Sequence, residues 1–148
     1  MAFKFGLETV LKHRQRREEL AQRELAEAQA AVDQCLKQIE SMYERGDQVR
    51  EEILDLQKHG DPSAVSQILE REEFLRGHRI RIEKLRLEAR ELLIVAEEKH
   101  ELLIEAAREK KILEKLKEKK HLQYREWLKQ LEVKQLDDIT MTRAGRKS

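Results

Sequence analysis

Lys58-His59-Gly60-Asp61-Pro62-Ser63 decides the fold, because the only proline of the 148 residues falls here and no other turn signal in the chain is clustered. Gly60 suits the position just after a helix, where a positive φ costs glycine little. Asp61 can accept a hydrogen bond from the free N–H groups of a new helix, and Pro62 fits near its start. One break in an otherwise helical pattern means two helices.

Working back from the turn, seam positions step by alternating threes and fours. The series is Leu7, Leu11, Arg14, Glu18, Ala21, Leu25, Ala28, Val32, Cys35, Ile39, Met42, Gly46, Val49, Ile53 and Leu56. This mean period of about 3.5 is the a/d pattern of a left-handed coiled coil. Working forward, Ile68, Leu75, Ile82, Leu85, Ala89, Leu92, Ala96, Leu103, Ala106 and Leu113 lie on or near one face. Leu116, Tyr124, Leu128 and Leu131 continue it less regularly. The expected fold is all-α, a long two-helix antiparallel coiled-coil hairpin with the second helix longer than the first. Its expected parts are an N-terminal extension at 1–4, helix one at 5–58, the turn at 59–63 and helix two at 64–140. A disordered tail is expected at 141–148.

Composition agrees. Charged residues make up 41% of the chain and aromatics 4%, a profile of long helices rather than of a globular core. Thirty-one Lys and Arg nearly cancel thirty Asp and Glu, which argues against a dedicated nucleic-acid binder. The lone Cys35 cannot form an internal disulfide and fits a reducing compartment. There is no apolar signal-peptide region, and Leu92–Ala96 is far shorter than the ~20 residues of a membrane span. A soluble, cytoplasmic protein is expected.

Placing residue i opposite roughly 122 − i makes the arms unequal, with helices of roughly 80 and 115 Å at 1.5 Å per residue. The second helix should overhang from about residue 118, carrying Tyr124, the only Trp at 127, Leu128, Leu131 and Leu136. An unpartnered aromatic stripe in an aromatic-poor chain points to protein docking. From Arg108 to Lys129 there are nine Lys or Arg against four Glu, and Lys12, Arg14, Arg16 and Arg17 fall beside them. This basic end suits an acidic protein surface, although a solvated face of Glu/Lys pairs is the plainer reading. Arg14 and Glu18 interrupt the seam there, so pairing should be weakest at that end.

The same map sets Ala21–Ala31 against the repeats Glu91-Leu92-Leu93-Ile94 and Glu101-Leu102-Leu103-Ile104, whose leucines should pack on the alanines. It sets Gly46 opposite Gly77, with Tyr43 and Phe74 nearby as a small aromatic patch, and His100 near the seam. No catalytic constellation is visible. There is no phosphate-binding glycine loop, HExxH or GxSxG, and the five scattered histidines and Cys35 lack metal-ligand spacing. No enzyme activity, metal or cofactor is expected.

Three blocks stand out: Phe3-Lys4-Phe5-Gly6-Leu7-Glu8-Thr9-Val10-Leu11-Lys12-His13-Arg14, Glu19-Leu20-Ala21-Gln22-Arg23-Glu24-Leu25-Ala26-Glu27-Ala28, and Glu132-Val133-Lys134-Gln135-Leu136-Asp137-Asp138-Ile139. In these blocks the chain resembles the flagellar FliJ protein family. The resemblance implies a cytoplasmic component of the flagellar type III export apparatus, shaped like the central stalk of rotary ATPases. Implied partners are the export ATPase (FliI-like), the cytoplasmic domain of the export gate (FlhA-like) and export chaperones, with peripheral docking at the inner membrane. By analogy the ATPase contact would use Arg14, Arg17, Lys117, Lys120, Tyr124, Trp127, Leu128 and Leu131, and the gate contact Tyr43 and Phe74. The alternatives are a generic coiled-coil spacer or dimerising rod, or a stalk subunit of a related rotary ATPase or virulence type III system.

Overall fold

The computed structural model describes residues 2–147; Met1 and Ser148, at the ends of the expected extension and tail, lie outside them. Two helices account for nearly all of it, α1 (Glu8–His59) and α2 (Ala64–Lys147). No strand occurs among the described residues. The fold is an all-helical hairpin whose second helix is the longer.

The turn forms as its residues dictate. Gly60 adopts φ +59°, the only positive φ among the described residues. Asp61 then takes both roles of a helix start: its carbonyl accepts from the Ala64 N–H at 2.9 Å and its Oδ1 accepts from the Ser63 N–H at 3.3 Å. Lys58 and His59 close α1 with positive or ionisable groups at its carbonyl end. At the other terminus α2 runs through Lys147, past the end expected at 140. No proline follows Pro62 to stop it, and the Thr140 and Thr142 hydroxyls bond back to the carbonyls of Leu136 and Asp138.

The chain forms two compact units. One comprises the residues up to Leu20 with those from Leu103 onward; the other is Ala21–Leu102. In the turn-bearing unit, antiparallel pairing is fixed by named contacts. Arg71 Nε lies 2.9 Å from Glu52 Oε2, Cys35 Sγ lies 3.4 Å from the Leu85 carbonyl, and Lys99 Nζ lies 3.2 Å from Glu24 Oε2. Each falls within a few residues of the register expected from the turn. The α1 series Ala21, Leu25, Val32, Cys35 and Val49 is buried, Val49 to 2% exposure. No large side chain of the described residues is fully enclosed, which is what a seam one side chain wide allows.

Three expectations about the seam are corrected. Gly46 faces His78 and not Gly77: His78 is 5% exposed, whereas nothing lies within 4 Å of a Cβ built on Gly77. The missing side chain of Gly46 leaves room for an imidazole, whose Nε2 meets the Met42 carbonyl. His100, expected near the seam, is exposed, because the seam position on that turn belongs to Lys99. The two Leu-Leu-Ile repeats do not pack on alanines as blocks. Leu92 and Leu103 are half-buried, but Leu93, Ile94, Leu102 and Ile104 are 45–56% exposed. Only one residue per turn can point at a single partner helix.

Gly46 invites a test. A Cβ there would sit 3.5 Å from Arg50 Nη1 and from His78 Cδ2, ordinary contact distances, in unstrained helical backbone. Gly46→Ala is therefore expected to stabilise the chain by about 0.5–1 kcal/mol through helix propensity alone. Urea unfolding followed by circular dichroism measures it; a lowered midpoint would show that His78 cannot share the space.

Candidate functional site: the terminal unit and its exposed end

In the terminal unit the seam carries charge where a coiled coil would ordinarily place leucine. Arg14 and Glu18 occupy seam positions on α1, and Lys110 follows Ala106 by four residues on α2. Each is matched across the pair. Lys110 Nζ lies 2.7 Å from Glu18 Oε2, with the two side chains only 26% and 14% exposed. The hydrogen bond to Glu18 holds the Lys110 ammonium above its ordinary value of 10.5, against a smaller opposing effect of burial. Arg14 and Arg17 converge on Glu109, Arg17 at 3.1 Å, and Lys117 lies 2.8 Å from Glu8. The interruptions that sequence reads as a weak seam are a ladder of cross-helix ion pairs.

This pairing sorts the residues expected to form a docking site. Arg14, Arg17 and Lys117 are engaged within the chain: Glu8 balances Lys117, while Arg14 and Arg17 share the one carboxylate of Glu109 and keep a net positive charge. Lys120 and Trp127 are exposed, Trp127 to 50%, and Leu128 is 37% exposed. Leu131 is half-buried.

Tyr124 is covered by a residue assigned from sequence only to an N-terminal extension. Phe3 sets its ring 5.6 Å from Tyr124 and 4.9 Å, edge-on, from His121. Aromatic contacts at these separations are favourable. The signal was present in the sequence, since Phe3, Leu7 and Leu11 continue the seam spacing backwards by fours. The backbone turns into α1 just after Phe3, with the Glu8 N–H donating to the Phe5 carbonyl at 3.2 Å. Tyr124 in turn sits 6.0 Å from Trp127. A graded aromatic run results, covered at Phe3 and open at Trp127.

In the turn-bearing unit Tyr43 and Phe74 are both partly exposed, at 46% and 37%. They do not make one patch. Phe74 stacks on His78 at 5.1 Å and lies under the Arg81 and Arg45 guanidinium groups at 5.5 and 5.9 Å. Tyr43 lines a groove of about 300 Å³ with Arg50, Arg79 and Arg86. Tyr43 follows a seam residue and Phe74 precedes one, which sets them on opposite flanks of the seam.

Among the described residues no group of three His, Cys, Asp or Glu side chains is placed to hold a metal ion. Cys35 is buried and bonded to a backbone carbonyl. Among the described residues no helix is long and apolar enough to cross a membrane.

Fold and surfaces together define a class: a two-helix coiled-coil protein with exposed apolar and charged helix faces. Within that class the chain belongs to the flagellar FliJ protein family, whose model matches residues 3–148. Membership makes it a component of the flagellar export apparatus. Neither the curated proteins nor the solved structures gave a match.

Proposed function

We propose that this chain is a non-catalytic, stalk-like component of the flagellar export apparatus that docks on the export ATPase through the exposed end of α2. The observation that carries the reading is Trp127. The only tryptophan of the chain stands half in water on α2, three residues past the last aromatic that Phe3 covers. Leaving a large apolar side chain exposed forgoes roughly 1.5–3 kcal/mol that a partner surface could supply. Exposed Lys120, Arg125 and Lys129 surround it, so the complementary surface is acidic. ATP hydrolysis belongs to the partner, an FliI-like ATPase. Contact with an FlhA-like gate is assigned to the Phe74 face with its two arginines, Tyr43 standing on the opposite flank. Escort of export chaperones is the remaining role that family membership supports.

A spacer would tolerate loss of the exposed end; a stalk would not. Deleting residues 126–148 leaves Phe3 on Tyr124 and removes Trp127, Leu128 and Leu131. In a pull-down with purified export ATPase, the shortened chain is expected to lose capture. Undiminished capture would exclude docking by this end.

A further inference from the structure

The turn-bearing unit carries an open groove of about 580 Å³ that no role above uses. Its floor is Leu25, Val32, Leu93 and Ala96, and its rim holds Asp33, Glu97 and Glu101. The groove exists because Gln29 and Ala96 are too small or too polar to cover the flank of the seam, leaving Leu93 45% exposed. The field around it is negative. From Glu88 to Leu102, α2 has five glutamates against Arg90 and Lys99, and Lys99 is tied to Glu24 at 3.2 Å. An apolar floor with an acidic rim fits an amphipathic helix bearing Lys and Arg on both sides of an apolar stripe.

This chain contains such a helix. Between residues 119 and 134, Lys119 and Lys134 on one side and Arg125 and Lys129 on the other bracket the exposed Trp127 and Leu128. Residues 64–147 form one uninterrupted helix, so a groove on it is filled from another molecule. We propose that the groove is a docking site for a second copy of this chain, which inserts the basic, Trp127-bearing end of its α2. The contact is heterologous, one copy giving its groove and the next its helix end. It shares Trp127 with the proposed ATPase contact but does not rest on it, since purified chain alone suffices to test it.

Light scattering after size exclusion should give a mass that climbs above 17.7 kDa with concentration and falls back in high salt. Emission of the single Trp127 should move to the blue over the same concentration range as the indole leaves water. The charge-reversed groove E97K/E101K and the charge-reversed helix end R125E/K129E should each remain at the monomer mass with unchanged helicity. Mixed one to one, they should associate again, because the native end of the first variant fits the native groove of the second and the reversed groove fits the reversed end. A wild-type mass fixed at 17.7 kDa up to millimolar concentration would overturn the proposal and leave the groove to a different protein. Association that survives E97K/E101K unchanged, or a mixture that stays monomeric, would overturn it equally.

Discussion

Replacing Glu18 and Lys110 together by leucine is expected to stabilise the chain by about 1–4 kcal/mol, whereas Lys110→Leu alone is expected to destabilise it. The two side chains meet at 2.7 Å in the seam, with the Glu18 side chain 14% exposed. Deleting only the lysine leaves a carboxylate against apolar neighbours without its charged partner. That costs roughly 1–3 kcal/mol for a fully buried group, and the lower end applies because both side chains keep some water. Deleting both removes two desolvation penalties and restores the leucine that a seam position favours. The secondary contact from Lys110 to Glu114, at 3.8 Å along the helix, is worth only a few tenths and does not change the sign. Urea unfolding at neutral pH gives both numbers; a double variant weaker than Lys110→Leu would mean the pair is optimised rather than tolerated.

The same pair sets a pH dependence. Because the Lys110 ammonium is held above 10.5 in the folded chain, its stabilisation is complete below pH 10.5 and is lost as pH rises through the elevated value. The gap between wild type and Lys110→Leu should therefore be constant at neutral pH and close in strongly alkaline buffer.

How far the fold was legible follows from what each residue signals. Alternating threes and fours named the α1 seam from Leu11 to Leu56, polar members included: Leu11 is 3% exposed, Gly46 is buried, and Arg14 and Glu18 are half-buried; Leu7, the first of the series, lies just before α1 and is 41% exposed. On α2 the apolar series skipped Arg71, His78, Lys99 and Lys110. All four are seam residues, each bonded across to α1. A search for apolar periodicity passes over such positions, since only pairing makes a charged group tolerable there. The pairing register is also invisible one residue at a time: a shift of one turned a glycine pair into Gly46 facing His78. Phe3 was missed because the two steps of four that link it to Leu7 and Leu11 are too short a run to carry a seam by themselves in a segment before the first helix. Its neighbours Tyr124 and Trp127 stand out in the sequence by rarity of type and by the unequal arms, which the place of a single turn already dictates.

Trp127→Ala in the full-length chain is expected to weaken binding to the export ATPase at least about 30-fold, the ~2 kcal/mol typical of an anchoring tryptophan. Its side chain is half exposed and its ring lies tilted at 6.0 Å from Tyr124, so its removal should disturb the chain's own packing little. Tyr124→Ala makes the informative contrast. It strips the surface that holds Phe3 at 5.6 Å, and so should lower stability as well as affinity. Phe3→Ala divides the two effects, loosening the N-terminal segment while leaving Trp127 in place. Titration calorimetry with purified ATPase should rank affinity loss as Trp127→Ala, then Tyr124→Ala, then Phe3→Ala, while thermal melts rank Trp127→Ala as the mildest of the three. Affinity that instead tracks the melting order would mean the ATPase reads the ordered N-terminal segment, and the exposed indole would then need another partner.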